Sequence, residues 1–402
     1  MESVLILDAQ AVQTLVFARS LKRSGYHVAV LADGKDNYGY HTSAASERFI
    51  GPDSHDKEKY HTFMISFLAE HHFDVIVPMT DESALYVSMY KKSLMDYSSV
   101  LMPDIEVFMK GYDKNQLMAL CASRGYPHPR TLTMSDCSEE DLHDFTYPAL
   151  IKPNLTTGGR GMTLVCSYEE LTSGGRGMTL VNSLEEFIAV YPAIHEQYGE
   201  CHLQHFVEPG GRQVKVQIMT DANGVPRYTS VIWKQRYYPV NGGSSCCNLT
   251  IDDPKIAEVC GSVLQDISWT GFADFDLIED PSTGELLIME INPRIPACVR
   301  SAFESGLDYA TMIADVTRGK PLKEYKYESG KTLRHLGFEM LWFAKSNGRW
   351  HAKPNWFKFI GRDIYYQDLS WKDIVPFICG TWGNIKKQLN PEFRKAKAGV
   401  KL

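Results

Sequence analysis

Short stretches of this chain bring together residue types suited to a phosphate-bearing substrate. In the first, Lys152-Pro153 is followed by Gly158-Gly159-Arg160-Gly161. Glycines let backbone N–H groups close around phosphate oxygens, and a lysine supplies a point charge. The run lacks GK[ST], so it is not the Walker pattern. Taken alone, it also reads as an ordinary glycine-rich hairpin. In the second, Asp276 precedes Glu290-Ile291-Asn292-Pro293-Arg294. Alternate residues of a strand share a face, so a hairpin would gather Asp276, Glu290 and Asn292. Such oxygen ligands suit Mg²⁺, which keeps waters and shares substrate phosphates. Arg294 would reach the same anion. A solvated hairpin face with ordinary charges is the plainer alternative. In the third, Lys234 and Arg236 flank Gln235 and are expected on one strand face, where two cations would neutralise a triphosphate. A charged sheet edge would look the same.

The elements that must position these residues alternate from the start. Val4-Leu5-Ile6-Leu7 is an apolar run, and Val12, Leu15, Val16, Ala18 and Leu21 come next at helical spacing before Gly25. His27 to Ala32 reads as a strand, the stretch from Tyr60 to Leu68 as an amphipathic helix, and Asp74 to Val77 as a strand. This βαβ series predicts a parallel, doubly wound sheet. Its first turn, Asp8-Ala9-Gln10-Ala11, lacks the glycines that admit a pyrophosphate, which argues against a dinucleotide site. Asp113 is a good N-cap for a helix that Gly125 ends. A strand at Ala149 to Lys152, a helix near Leu184 to Tyr198 and strands at 203–207, 213–219 and 229–233 come next. Asp253-Pro254 opens another helix, and strands at 272–278 and 286–291 close a hairpin across Asp280 to Gly284.

The 402 residues suffice for several domains, and 44% hydrophobic with 23% charged residues excludes a disordered or fibrous chain. No apolar run approaches the ~20 residues of a bilayer span, and the N-terminus does not read as a signal peptide. The nine cysteines form no CxxC pair, so we expect reduced thiols in a cytoplasm rather than a structural zinc. The net charge of −7 divides unevenly. From Pro321 onward there are 16 Lys+Arg against 7 Asp+Glu, and five of the seven tryptophans. Residues 155–170 and 171–186 form a tandem repeat matching at 13 of 16 positions, each copy with its own Gly-Gly-Arg-Gly loop. Two copies are too few for a solenoid.

The order of these motifs resembles the ATP-grasp superfamily over about residues 1–320. Asp113-Lys114 with its helix and Gly125-Tyr126-Pro127 is similar to that family's entry to the grasp, and Glu290 to Arg294 is the most specific signature. The resemblance implies an α/β and α+β chain. Residues 1–111 would be a Rossmann-like pre-grasp domain and 112–320 a two-lobed ATP-grasp domain with a lid lobe at about 125–200, leading into a C-terminal module at 321–402. It further implies ATP and Mg²⁺. Lys114 and Lys152 would contact the phosphates under the glycine hairpin. Gln204, His205, Phe206 and Val207 would form the strand that meets adenine, with backbone groups of His205 and Val207 reading its edge. Asp276, Glu290 and Asn292 would hold the metal, and Lys234, Arg236 and Arg294 would bind the γ-phosphate and the acylphosphate. Of the two glycine loops, the first is expected to cover the phosphates, because few residues separate it from Lys152. An acidic ribose contact is sought near Gln213 or Lys215, neither of which is acidic.

The expected activity is an ATP-dependent carboxylate–amine ligase, similar to carbamoyl-phosphate-synthase-like and D-aspartate-ligase-like proteins. A carbamoyl-phosphate-forming or carboxylase-type enzyme and a catalytically weak ATP-binding module are the alternatives. Partners would be a small carboxylate and an amine, with no nucleic acid, and a homodimer is left open. The C-terminal aromatics and lysines read either as a packed accessory subdomain or as a peripheral contact with the inner face of a membrane or an anionic polymer.

Overall fold

The computed structural model describes residues 1–154, 163–165, 177–240 and 243–389. The expected glycine hairpin, Gly158, Gly159, Arg160 and Gly161, therefore lies outside the described residues, as does the loop of the second copy.

Strands β1 (Ser3–Ile6), β2 (His27–Ala32), β3 (Glu47–Ile50) and β4 (Val75–Val77) make a parallel sheet in the order β3-β2-β1-β4. Parallel strands covered on both faces need continuous apolar runs, and Val4 to Leu7 are completely buried. The winding reverses at β1, which leaves a crevice at the carboxyl ends of β1 and β4. There Asp8 adopts a left-handed φ of 57°. Its carboxylate accepts from the Thr80 amide at 3.2 Å and hydroxyl at 3.0 Å, and from Ser83. The end of β1 is thereby tied to the helix Asp81–Met89.

Strands β5 (Thr131–Thr133), β6 (Ala149–Pro153), β7 (Thr163–Val165), β8 (Gly177–Val181) and β9 (Cys201–His205) form a second sheet, ordered β5-β9-β6-β8-β7. The helix Leu184–Tyr198 packs on it through Phe187, Val190 and Ile194. The strand beside β6 is β8, from the second repeat copy, paired antiparallel through Ala149–Val181 and Ile151–Thr179. The first copy's β7 sits outside β8, parallel to it, at the sheet edge. The strand paired with the Lys152 strand thus comes from the second copy, while both glycine loops lie outside the described residues. Only Asn182 and Ser183 separate β8 from the helix that caps this sheet, and that short connection holds β8 inside.

The largest sheet runs β14-β13-β10-β11-β12-β15-β16. Its strands are β10 (Gln213–Thr220), β11 (Pro226–Tyr238), β12 (Ser244–Ile251), β13 (Gly271–Glu279), β14 (Leu286–Asn292), β15 (Thr332–Arg334) and β16 (Ile364–Tyr366). The C-terminal segment thus enters this sheet, β15 adding antiparallel to β12 and β16 parallel to β15. One hydrophobic cluster runs from Leu5 and Ile76 through Phe108 and Trp269 to Phe275 and Ile291, fastening the parallel sheet to the largest one. The fit is tight at Gly111, where a Cβ would lie 2.8 Å from the Trp269 ring. No helix among the described residues is long and apolar enough to cross a membrane.

Candidate active site

Register alone builds a polar row across the largest sheet. Glu290 lies opposite Asp276, and Asn292 opposite Asp274. Asp276 in turn faces Lys215, Asp274 faces Gln217, and Gln213 faces Lys234. The expected gathering of Asp276, Glu290 and Asn292 on one face is therefore present, with Asp274 and Lys215 added. Lys215 Nζ donates to Asp274 Oδ2 at 2.6 Å and to Asp276 Oδ2 at 2.9 Å. Lys234 Nζ donates to Asp276 Oδ1 at 2.9 Å, and Asn292 Nδ2 to Asp276 Oδ2 at 3.1 Å. Desolvation pulls the Asp276 carboxyl upward, but the Lys215 and Lys234 charges together outweigh it and hold the group well below the usual carboxylate range. Asp274 is fully buried, and burial outweighs Lys215 there, raising its pKa.

The second sheet and the helix Lys114–Arg124 present the opposing cations. Asp113 caps that helix by accepting from the Asn115 and Gln116 amides. The Lys114 amide donates to the Asn154 carbonyl at 3.4 Å, which anchors the helix start to the end of β6. Lys114 Nζ then lies 3.3 Å from Glu290 Oε2. Lys152 is buried on β6 and donates to Gln204 Oε1. Burial first, and the nearby Lys114 charge second, push its pKa down to about 8. His202, paired across the ladder with Lys152, holds Asn154 Oδ1 at 3.1 Å through Nδ1. Burial and the charges of Lys152 and Lys114 push its pKa well down. Arg294 crosses to the parallel sheet's domain, donating from Nε to Asp81 Oδ2 at 2.9 Å at the first turn of the helix after β4.

One expectation needs correction. Lys234 and Arg236 do not share a face. Lys234 pairs with Asn248 and Arg236 with Cys247, so a β-bulge at Gln235 turns the second cation to the other side of β11. Arg236 is buried there, donating to Glu339 Oε1 from Nη2 at 2.7 Å and to the Pro354 carbonyl at 2.7 Å. The structure does not bring it to the polar row. Of the backbone groups expected to read the adenine edge, the His205 amide is taken, donating to the Arg130 carbonyl at 2.8 Å. The Phe206 amide is likewise committed to Pro148 at 3.0 Å, whereas Val207 lies half-buried just beyond β9.

Asp274, Lys215, His202 and Asp81 join the site without belonging to any of the sequence motifs above. For the first two a signal exists: polar residues at period two in otherwise apolar strands, Gln213-x-Lys215-x-Gln217 and Asp274-x-Asp276. The donor set suits a hard divalent cation. Asp274 Oδ1 is buried without a hydrogen-bond partner beside Asn292 and Asp276. Among the described residues no three or more His, Cys, Asp or Glu side chains come together to hold a metal ion by themselves. Two carboxylates and an amide oxygen, with the remaining positions left to water and phosphate, match the way Mg²⁺ is held.

No family model matches the chain. Over 227 residues it is 23% identical to the C-terminal section of the carbamoyl phosphate synthase large chain of Methanopyrus kandleri, covering 54% of this chain and 39% of that protein. The chain thus spans about two-fifths of that relative's length. Its structure resembles biotin carboxylase from Campylobacter jejuni, solved as a β-γ-ATP complex, at a TM-score of 0.63 and 17% identity over 82% of this chain and 74% of that one. It also resembles L-amino acid ligase from Bacillus licheniformis, with a TM-score of 0.58, 14% identity and coverage of 80% and 75%. The chain has the fold of these proteins, the ATP-grasp architecture that its motif order resembles.

Proposed function

We propose that this chain is an ATP-dependent ligase that activates a carboxylate as an acylphosphate and passes the acyl group to an amine. The observation that carries the reading is the facing of two charge sets. Asp276, Glu290 and Asn292 project from adjacent antiparallel strands, while Lys114 and Lys152 approach from the neighbouring helix and sheet, Lys114 reaching Glu290 directly. A bound Mg²⁺ would neutralise phosphate charge between these sets. Lys114 and Lys152 would hold the phosphate chain, and Lys234 and Arg294 would meet the γ-phosphoryl and the acyl phosphate. Arg236, locked against Glu339, is omitted from this set.

The chemistry needs positioning and charge neutralisation more than a covalent group from the protein. A carboxylate oxygen attacks the γ-phosphorus as the β–γ P–O bond breaks and ADP leaves. The amine nitrogen then attacks the acyl carbon, the C–O bond to phosphate breaks, and the amine loses a proton. A second reading, a carbamoyl-phosphate-forming or carboxylase-type enzyme, draws on the likenesses to the Methanopyrus protein and to biotin carboxylase. ADP release measured over a panel of carboxylates, each with and without amines, separates the two. Release needing both a carboxylate and an amine supports the ligase, and release with bicarbonate alone supports the second reading.

A further inference from the structure

The final described helix, Val375–Leu389, is fastened to the protein along one side only. Gly380 sits so close to Tyr38 that a Cβ would fall 2.0 Å from its ring. Asn384 donates to the Tyr38 hydroxyl at 2.6 Å. Just ahead of the helix, Asp373 accepts from Arg19 Nε at 3.0 Å, from the Thr42 hydroxyl at 2.6 Å and from the Ser43 amide at 3.0 Å. These contacts fix the rotation of the helix. The side turned to solvent is apolar: Val375, Ile378, Trp382, Ile385 and Leu389 are each 44–69% exposed. At about 100° per residue they fall within an arc of roughly 80°. Trp371, four residues before the helix, is 85% exposed. Such a stripe is a partner surface rather than scattered surface residues.

The charges around the stripe indicate its partner. No acidic residue occurs from Ile374 to Pro391, whereas Lys372, Lys386 and Lys387 lie in or beside the helix, and residues 390–402 hold four Lys+Arg against one Glu. Lys386 stands over the Trp382 ring at 5.9 Å and reaches Asp36 at 3.1 Å, the one acidic side chain bonded to the helix among the described residues. Tryptophan, aliphatic residues and flanking lysines on a helix held flat match the boundary between headgroups and acyl chains. Pairing with a second copy would instead bring like-charged helices together along a seam of only two heptads.

We infer that the exposed face of this helix, with Trp371, is a docking surface for an anionic lipid bilayer, on which the chain lies without spanning it. The test is co-sedimentation of the full chain with vesicles of phosphatidylcholine containing about a third phosphatidylserine, at low and high salt, beside pure phosphatidylcholine vesicles. The chain should pellet with the anionic vesicles, lose most of that binding at high salt, and stay in solution with the neutral ones. Trp382→Asp combined with Ile385→Asp should lower the vesicle-bound fraction at least about tenfold with far-UV circular dichroism and thermal midpoint unchanged, because both side chains point to solvent. The inference is overturned if the chain stays in the supernatant with anionic vesicles at low salt, if the double variant pellets like wild type, or if neutral vesicles bind equally. It is likewise overturned if sedimentation equilibrium shows a dimer that the same variant dissolves, which would assign the face to a second copy.

Discussion

At the scale of single residues, Lys152 carries the clearest consequence. Its buried ammonium, beside Lys114, titrates at about 8. In the role proposed for Lys152, phosphate binding would need the charged form and would draw a proton onto the lysine. ATP affinity should accordingly fall as pH rises through about 8, losing roughly tenfold between pH 7 and 9. Calorimetric titration checks this, and Lys152→Arg, charged throughout, should flatten the profile. Stability of the ligand-free chain runs the opposite way. The folded lysine binds its proton less tightly than the unfolded one, so its charging penalty is lifted as pH climbs from about 8 toward 10.5. Glu290 supplies a second test. Glu290→Gln keeps the shape of the side chain but removes a charge that Lys114 and the cation would share. Steady-state ADP release should drop by at least about tenfold, a loss exceeding ~1.4 kcal/mol of transition-state stabilisation. Release within twofold of wild type would remove Glu290 from the site.

At the scale of elements, the bulge at Gln235 decides which cation serves which purpose. It leaves Lys234 on the polar row and sends Arg236 to Glu339, which Arg334 also grips at 3.0 Å. All three side chains are at most 3% exposed. Glu339→Gln would strand two buried guanidinium groups, and chemical denaturation should show a loss of about 3–5 kcal/mol. Glu339→Asp, which keeps the charge, should lose less. The same elements show what a linear reading can see. That Asp276 and Glu290 lie near one another was legible because a turn of obvious composition joins their strands, but their direct pairing depends on a register shift between Asp276 and Leu277 that no residue type announces. The Asp113 and Gly125 caps were legible for a similar reason, since both act within one turn. The bulge was not, because an extra residue in a strand changes no residue type. The Arg236–Glu339 contact joins residues 103 apart through β12 and β15, a pairing that no local pattern announces.

At the scale of the whole molecule, the site is a meeting of three bodies rather than a property of one. Asp81 comes from the parallel sheet's domain, Lys152 from the five-stranded sheet, and Asp276 and Glu290 from the seven-stranded one. Arg294 ties the first to the last through Asp81. Gln13 adds a second tie, its amide donating to the Met79 carbonyl at 2.8 Å and the Ile295 carbonyl at 2.9 Å. Gln13→Ala would leave two buried carbonyls unpaired. It should cost about 1–3 kcal/mol in thermal unfolding, and it should raise the KM for ATP only if the angle between the bodies matters for substrate.

The repeat gives β6 a choice that few strands have. Gly161 to Val165 and Gly177 to Val181 spell the same five residues, so two interchangeable partners stand 16 positions apart on one chain. Side-chain chemistry cannot tell them apart; the sheet is wired by the chain downstream of each copy, and only the second runs straight into the helix at Leu184. The strand of the first copy should therefore be dispensable. Excising residues 155–170 removes one whole period, deletes the outer strand and leaves the ladder between β6 and β8 spelled as before. Shortening the connection changes its closure entropy by only about 1 kcal/mol, so the trimmed chain should melt within a few degrees of the parent and release ADP at a comparable rate. A collapse of either property would show that the duplicated strand has become indispensable.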